Sequence, residues 1–242
     1  MAIAINPVSL PSVRSMSVLI FDADDTLWEN NIYFEHAFDN FVEYLAHSSL
    51  THAQVREVLN EIELVNSKIH GYGSINFGRN LQQAYQHLAE REIRPDDLEH
   101  VMSLAERILE QPIELIEGVE ETLAELAQRH RLALFTKGHP DEQRMKVDRS
   151  GLSRLFSHTA IVKEKDSPAY VNLIGEQGFD PASSWMIGNS PKSDINPALA
   201  AGLGAVLVPH ARTWVLEHQD LRTPSGARFL QVQRFADLCR HF

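Results

Sequence analysis

Short apolar runs alternate with long amphipathic stretches along this chain. Runs at 18–21 (VLIF), 132–135 (LALF), 185–187 (WMI) and 205–208 (AVLV) are bounded by polar or turn-forming residues, as buried strands are. A helical pattern over 119–130, apolar at Val119, Leu123, Leu126 and Ala127, leads into the second run, and another from Asp141 leads to a break at Ser150 and Gly151. Strands joined by crossovers of that length predict a parallel α/β sheet. Between Trp28 and about Pro112 the helical period continues through 34–46, 51–69, 80–90 and 95–109 with no comparable strand run. The pattern therefore predicts an all-helical domain, 29–112, inserted into an α/β core made of 1–28 and 113–242. The segment HGYGSINFG, 70–78, reads as a turn-rich interruption of the insert.

Composition narrows the function more by exclusion than by suggestion. A chain of 242 residues can bury a substantial core. With 33 acidic and 22 basic residues, and a formal net charge of -11, it lacks the broad positive surface that nucleic acid or an anionic membrane requires. A small phosphorylated substrate stays compatible, because a metal ion and a few lysines can reverse the field inside a pocket. Cys239 is the single cysteine, which excludes an internal disulfide and a cysteine-rich zinc site and suits a reducing compartment. The first 15 residues show neither a charged leader nor a long apolar stretch, and no later run approaches the ~18 apolar residues of a membrane span. The expectation is a cytoplasmic protein that binds neither membrane nor nucleic acid, and no protein partner is implied. Twelve histidines scatter without an HxH or HxxxH cluster, so they read as surface or packing residues.

Open α/β sheets bind ligands beyond the carboxyl ends of their strands, so the polar residues that follow each apolar run carry the information. Those residues are Asp22-Ala23-Asp24-Asp25-Thr26, Thr136-Lys137-Gly138 and Gly188-Asn189-Ser190, with Lys163-Glu164-Lys165 after the apolar stretch 160–162, and Asp194 a little further on. Asp22 and Asp24, two apart as the chain leaves a strand, can flank one reacting centre. One carboxylate can attack phosphorus while the other protonates the leaving alcohol and later activates water. Magnesium bound by Asp22 and Asp194, with a lysine balancing the remaining charge, suits such an acidic site, and Thr136 can donate to a phosphoryl oxygen.

These segments carry a resemblance. FDADDT resembles the DxDx[TV] signature of the haloacid dehalogenase-like (HAD) hydrolase superfamily, and the later segments are similar to its other three motifs in the same order. The resemblance implies a Rossmann-like core with Asp22 as nucleophile, Asp24 as acid and base, Thr136 as phosphate ligand and a charge-neutralising lysine. It also implies magnesium held by Asp22, the Asp24 backbone carbonyl and Asp194, and a helical insert of the C1 cap type that selects substrate. Lys163 and Lys165 compete for the lysine role, and the spacing from Lys165 to Tyr170 in KDSPAY resembles the family pattern better. Three positions depart from the common pattern. Asp25 stands where glycine is usual and reads as a solvated turn residue. Lys137 stands where asparagine is common and either supports phosphate binding or projects to solvent. Asn189 replaces the usual first acid of the last motif, either holding a metal-bound water or capping the helix expected over 193–201.

The interrupted segment of the insert offers Tyr72, Asn76, Phe77 and Arg79 as substrate contacts, against the plain alternative of an interhelical turn. Trp28 and Tyr33 can line the pocket entrance or pack the hinge between domains. The resulting expectation is a magnesium-dependent phosphomonoesterase for a small phosphorylated metabolite. The alternatives are a 2-haloacid dehalogenase, which needs no proton donor at Asp24, a phosphonate hydrolase or phosphosugar mutase on the same core, and a non-catalytic binding protein that keeps the fold.

Overall fold

The computed structural model describes residues 16–242; the leaderless reading of 1–15 lies outside the described residues. Six strands form one parallel sheet: β1 (Val18–Phe21), β2 (Arg131–Lys137), β3 (His158–Val162), β4 (Ser184–Gly188), β5 (Gly204–Leu207) and β6 (Phe229–Gln231). Their order across the sheet is β3-β2-β1-β4-β5-β6, so the winding direction reverses between β1 and β4. That reversal opens a crevice at the carboxyl ends of the two central strands, which is where doubly wound sheets bind ligands.

The period of two along β1 explains the layering. Leu19 and Phe21 point into a core shared with Leu123, Leu134 and Phe235, while Ile20 faces the opposite layer with Phe135, Tyr170 and Met186. Helices α5 (Val119–Leu126), α6 (Pro140–Arg149), α7 (Ser167–Gln177) and α8 (Asn196–Ala200) supply the flanking layers. The helix expected over 119–130 ends at Leu126 and closes in a turn. The stretch expected to be one helix over 193–201 is a wide turn over Pro191–Ile195 followed by α8. Pro191 and Pro197 have no amide proton to offer a continuous ladder. The edge strand β6, only three residues long, carries too little alternation to announce itself in the sequence.

The insert consists of α1 (Asn31–Leu45), α2 (His52–His70), α3 (Ser74–Leu88) and α4 (Pro95–Glu106). It buries a separate cluster that includes Phe38, Phe41, Leu59, Leu81, Tyr85 and Val101. Thr51 and Gln54 close a reciprocal capping box at the start of α2. The break at 70–78 is shorter than its composition suggests, because only Gly71–Gly73 lies outside the helices. Ser74 can begin α3 since the Glu142 carboxylate, reaching over from α6, accepts from its backbone N at 2.9 Å and its Oγ at 3.0 Å. The chain enters and leaves the insert side by side: Glu29 N donates to Glu114 O, Ile116 N donates to Leu27 O, and Trp28 bridges Leu115 in antiparallel fashion. Among the described residues no helix is long and apolar enough to cross a membrane.

Candidate active site

The crevice at the β1/β4 reversal gathers residues from across the chain. Asp22 follows β1 directly and is anchored by its backbone N, which donates to Ile187 O on β4 at 2.9 Å. Its Oδ2 accepts from Thr26 Oγ1 at 2.8 Å, and its Oδ1 lies 2.6 Å from Lys165 Nζ. The same ammonium lies 2.5 Å from Asp194 Oδ1 and donates to the Phe135 carbonyl at 3.1 Å. Lys165 is 2% exposed and Asp194 1%, so each charge depends on the other for compensation. Burial, and then the neighbouring Asp22, push the Asp194 carboxyl up to about 7. For Lys165, burial works against the charge, and the two carboxylates overcome it and raise its pKa. Lys163 is exposed, so of the two competing lysines it is Lys165 that reaches the carboxylates.

Asp24 lies on the side of the crevice nearer α6. Trp28 Nε1 donates to its Oδ1 at 2.8 Å, Gln143 Nε2 to its Oδ2 at 2.7 Å, and Lys146 Nζ is 2.7 Å from both oxygens. Trp28 is therefore fully buried as a positioning contact for Asp24 rather than an open pocket wall. Tyr33 lies outside the cavity, with its hydroxyl donating to Pro112 O at 3.1 Å, and burial beside Glu114 and Glu29 pushes it up to about 12.

Lys137 does not project to solvent. Its Nζ lies 2.5 Å from Glu217 Oε1 and 2.8 Å from Ser193 Oγ, and the Glu217 Oε2 accepts from Ser190 Oγ at 2.6 Å. Burial alone would raise Glu217, but Lys137 and these hydroxyls outweigh it and lower its pKa. Thr136, 1% exposed, lines the cavity beside Lys137. Asn189 is held at both ends of its amide, donating to Thr213 Oγ1 at 3.0 Å and accepting from Thr26 Oγ1 at 3.3 Å. The cap of the turn at 191–195 is Ser190 instead, whose Oγ accepts from Ser193 N.

Asp25 is buried, not solvated: it is 6% exposed and takes a left-handed φ of 59°. Few side chains tolerate that region, and aspartate is among those that do. Its carboxylate accepts from Asn30 N at 2.9 Å and Asn31 N at 3.0 Å, at the start of α1. Burial pushes its pKa up to about 6 against these two donors. Ligand atoms of Asp25, Glu29 and His210 lie within 4.8 Å of one another, beside the crevice.

The helical insert closes the crevice into a cavity of about 160 Å³, room for roughly ten waters at ~15 Å³ each. That is the scale of a small metabolite. Tyr72, Asn76 and Phe77 line it, whereas Arg79 is exposed, does not line it, and donates to Asn76 Oδ1 at 2.9 Å. Arg79 thus stands behind Asn76, one helical turn along α3, and is not itself part of the cavity wall. Tyr72 donates to Glu164 Oε2 at 2.6 Å and meets Trp214 edge-on with ring centroids 6.0 Å apart. Wall residues that the motifs do not mark include Glu63, Gln143, Lys146, Trp214 and Glu217.

The donor set suits a hard divalent cation. Asp22 and Asp194 converge until one ammonium touches both, and carboxylate oxygens are the donors such a cation takes.

The fold and these carboxylates define a hydrolase of the Rossmann-like α/β class. The sequence pattern of the haloacid dehalogenase-like hydrolases matches residues 16–202, and the chain belongs to that family. It is 28% identical to a haloacid dehalogenase-like family hydrolase from Xanthomonas campestris, over 94% of each chain with a TM-score of 0.78. It shares the fold of a HAD-hydrolase from Bacillus subtilis in a magnesium-bound structure, at 17% identity over 94% of this chain and 99% of that one, TM-score 0.68. It is also 37% identical over 95 residues to a phosphoserine phosphatase from Thermus thermophilus, a match spanning 37% of this chain and 38% of that protein.

Proposed function

We propose that this hydrolase is a magnesium-dependent phosphomonoesterase that works through an aspartyl-phosphate on Asp22. The observation that carries the reading is the pair of carboxylates, Asp22 and Asp194, joined by the buried Lys165 ammonium, with a second acid, Asp24, two residues beyond the first. The phosphatase relative and the magnesium-bound neighbour support it.

In the first step an Asp22 oxygen attacks phosphorus in line, the bond to the ester oxygen breaks, and Asp24 gives that oxygen a proton. In the second, Asp24 takes a proton from water as the water attacks the aspartyl-phosphate, which frees inorganic phosphate and restores Asp22. On this reading Lys165 fixes the Asp22 carboxylate, and Thr136 and Lys137 bind phosphoryl oxygens. Trp28, Gln143 and Lys146 hold Asp24 before substrate arrives, and proton donation requires the Lys146 pair to open. Asp22, the Asp24 carbonyl and Asp194 would hold magnesium, with Asn189 at its margin. The ion would supply charge neutralisation for the phosphoryl group. The segment 29–112 acts as the cap, with Tyr72 and Asn76 in contact with substrate.

The test is phosphate release from an aryl phosphate and a panel of small phosphate esters, with and without a chelator, for the wild type and Asp22→Asn. Release abolished by chelation and by the substitution supports the reading. Absence of release from every ester, together with halide release from 2-haloacids, overturns it in favour of dehalogenation.

A further inference from the structure

The cap wall of the cavity holds an acid with one carboxylate oxygen left unpaired. Glu63, on α2, lines the cavity at 6% exposure, and its Oε2 is buried without a hydrogen-bond partner. Arg56, two turns earlier on the same helix, is already engaged: it donates to Glu35 Oε2 at 2.6 Å, and its guanidinium lies 3.4 Å from the centroid of the Phe38 ring. A buried carboxylate oxygen without a donor is costly, and in a ligand cavity the missing donor belongs to the ligand. Burial pushes Glu63 up to about 7, with Glu35 adding to the rise and with Arg56 and the Trp214 indole opposing it.

Resting on the phosphomonoesterase reading, we propose that Glu63 is a specificity-determining residue that receives an ammonium group on the alcohol part of the substrate, making the substrate a phosphate monoester of a small amino alcohol. A neutral hydroxyl would fill the hydrogen bond but leave the charge. Acidic side chains outnumber basic ones around the whole cavity, and Glu35, on α1 of the same insert, lines it together with Glu63. A cation bound there relieves the repulsion and restores the ionised form of Glu63.

The experiment compares kcat/KM for ethanolamine phosphate and ethylene glycol monophosphate, which differ only in an ammonium against a hydroxyl, and repeats this for the three-carbon pair. Both are run at pH 8 with the wild type and Glu63→Gln, with an aryl phosphate alongside and a circular-dichroism melt to establish that the variant is folded. The wild type prefers the amine in at least one pair by about tenfold or more, and Glu63→Gln loses that preference through a raised KM for the amine. Equal use of amine and hydroxyl by a wild type that does release phosphate overturns the inference and leaves the phosphatase reading standing, and so does a preference that survives Glu63→Gln. No phosphate from any ester, the aryl phosphate included, overturns the reading beneath it. The wild-type comparison decides the matter even where the variant does not fold.

Discussion

The Asp194 carboxylate fills the space that a side chain on Gly188 would need: a Cβ built on Gly188 overlaps the carboxylate oxygen. Glycine ends β4 because the acid must pack against bare backbone, with its Oδ2 accepting from Ser190 N at 2.9 Å. Gly188→Ala should therefore displace Asp194 and cut phosphate release about 100-fold or more, since misplacement of that order disrupts a reacting geometry. The accompanying overpacking should cost ~1–3 kcal/mol in a denaturant melt. Near wild-type turnover in this variant would show that Asp194 has no fixed place in the chemistry.

Lys165→Met leaves two buried carboxylates facing each other without their shared cation. Breaking such a pair costs ~3–5 kcal/mol, which urea unfolding would read directly. Turnover should fall with it, because Asp22 loses the contact that orients it. A variant as stable as the wild type would mean that solvent or an ion already compensates the site.

Glu63 ties stability to pH in a direction that can be worked out. Its ordinary value is 4.5 and its folded value about 7, with Glu35, Arg56 and Trp214 facing it, so folding takes up a proton between those limits. Its contribution is present at pH 4.5 and is lost as the pH rises through 7. Glu63→Gln mimics the protonated form, so it should melt above the wild type at pH 8 by up to about 3 kcal/mol and converge with it near pH 5. Melting curves across that range that run parallel would contradict the burial of this carboxylate.

Much of this arrangement is legible in the sequence because of where its residues fall. Asp22, Thr136 and Asn189 each lie at the end of an apolar run, and parallel strands bring such ends to one edge, so their meeting follows from topology. The helical insert was equally readable from its period. Other parts carry no local mark. Glu217 lies in a loop beyond β5, far from the motif residues Lys137, Ser190 and Ser193 that it joins, and only the folded chain brings them together. Glu63 belongs to NEIELVNS, where a charge on an amphipathic helix reads as a solvated face. Gln143 and Lys146 follow one another at helical spacing on α6, a hint that they share a face but none that the face looks at Asp24. The place of Arg79 is not legible because a glycine-rich composition conceals a helix whose start is fixed by Glu142, 68 positions from Ser74.

The two passages between core and insert run beside each other, joined by the Glu29 to Glu114 and Ile116 to Leu27 hydrogen bonds. Entrance and exit are thus a single seam. An inserted unit whose ends are neighbours behaves as a cassette: it can be exchanged, lengthened or trimmed in descent while the strand ends beneath keep their places. On the proposed reading of the insert as a cap, the chemistry and the choice of what undergoes it are free to change at different rates.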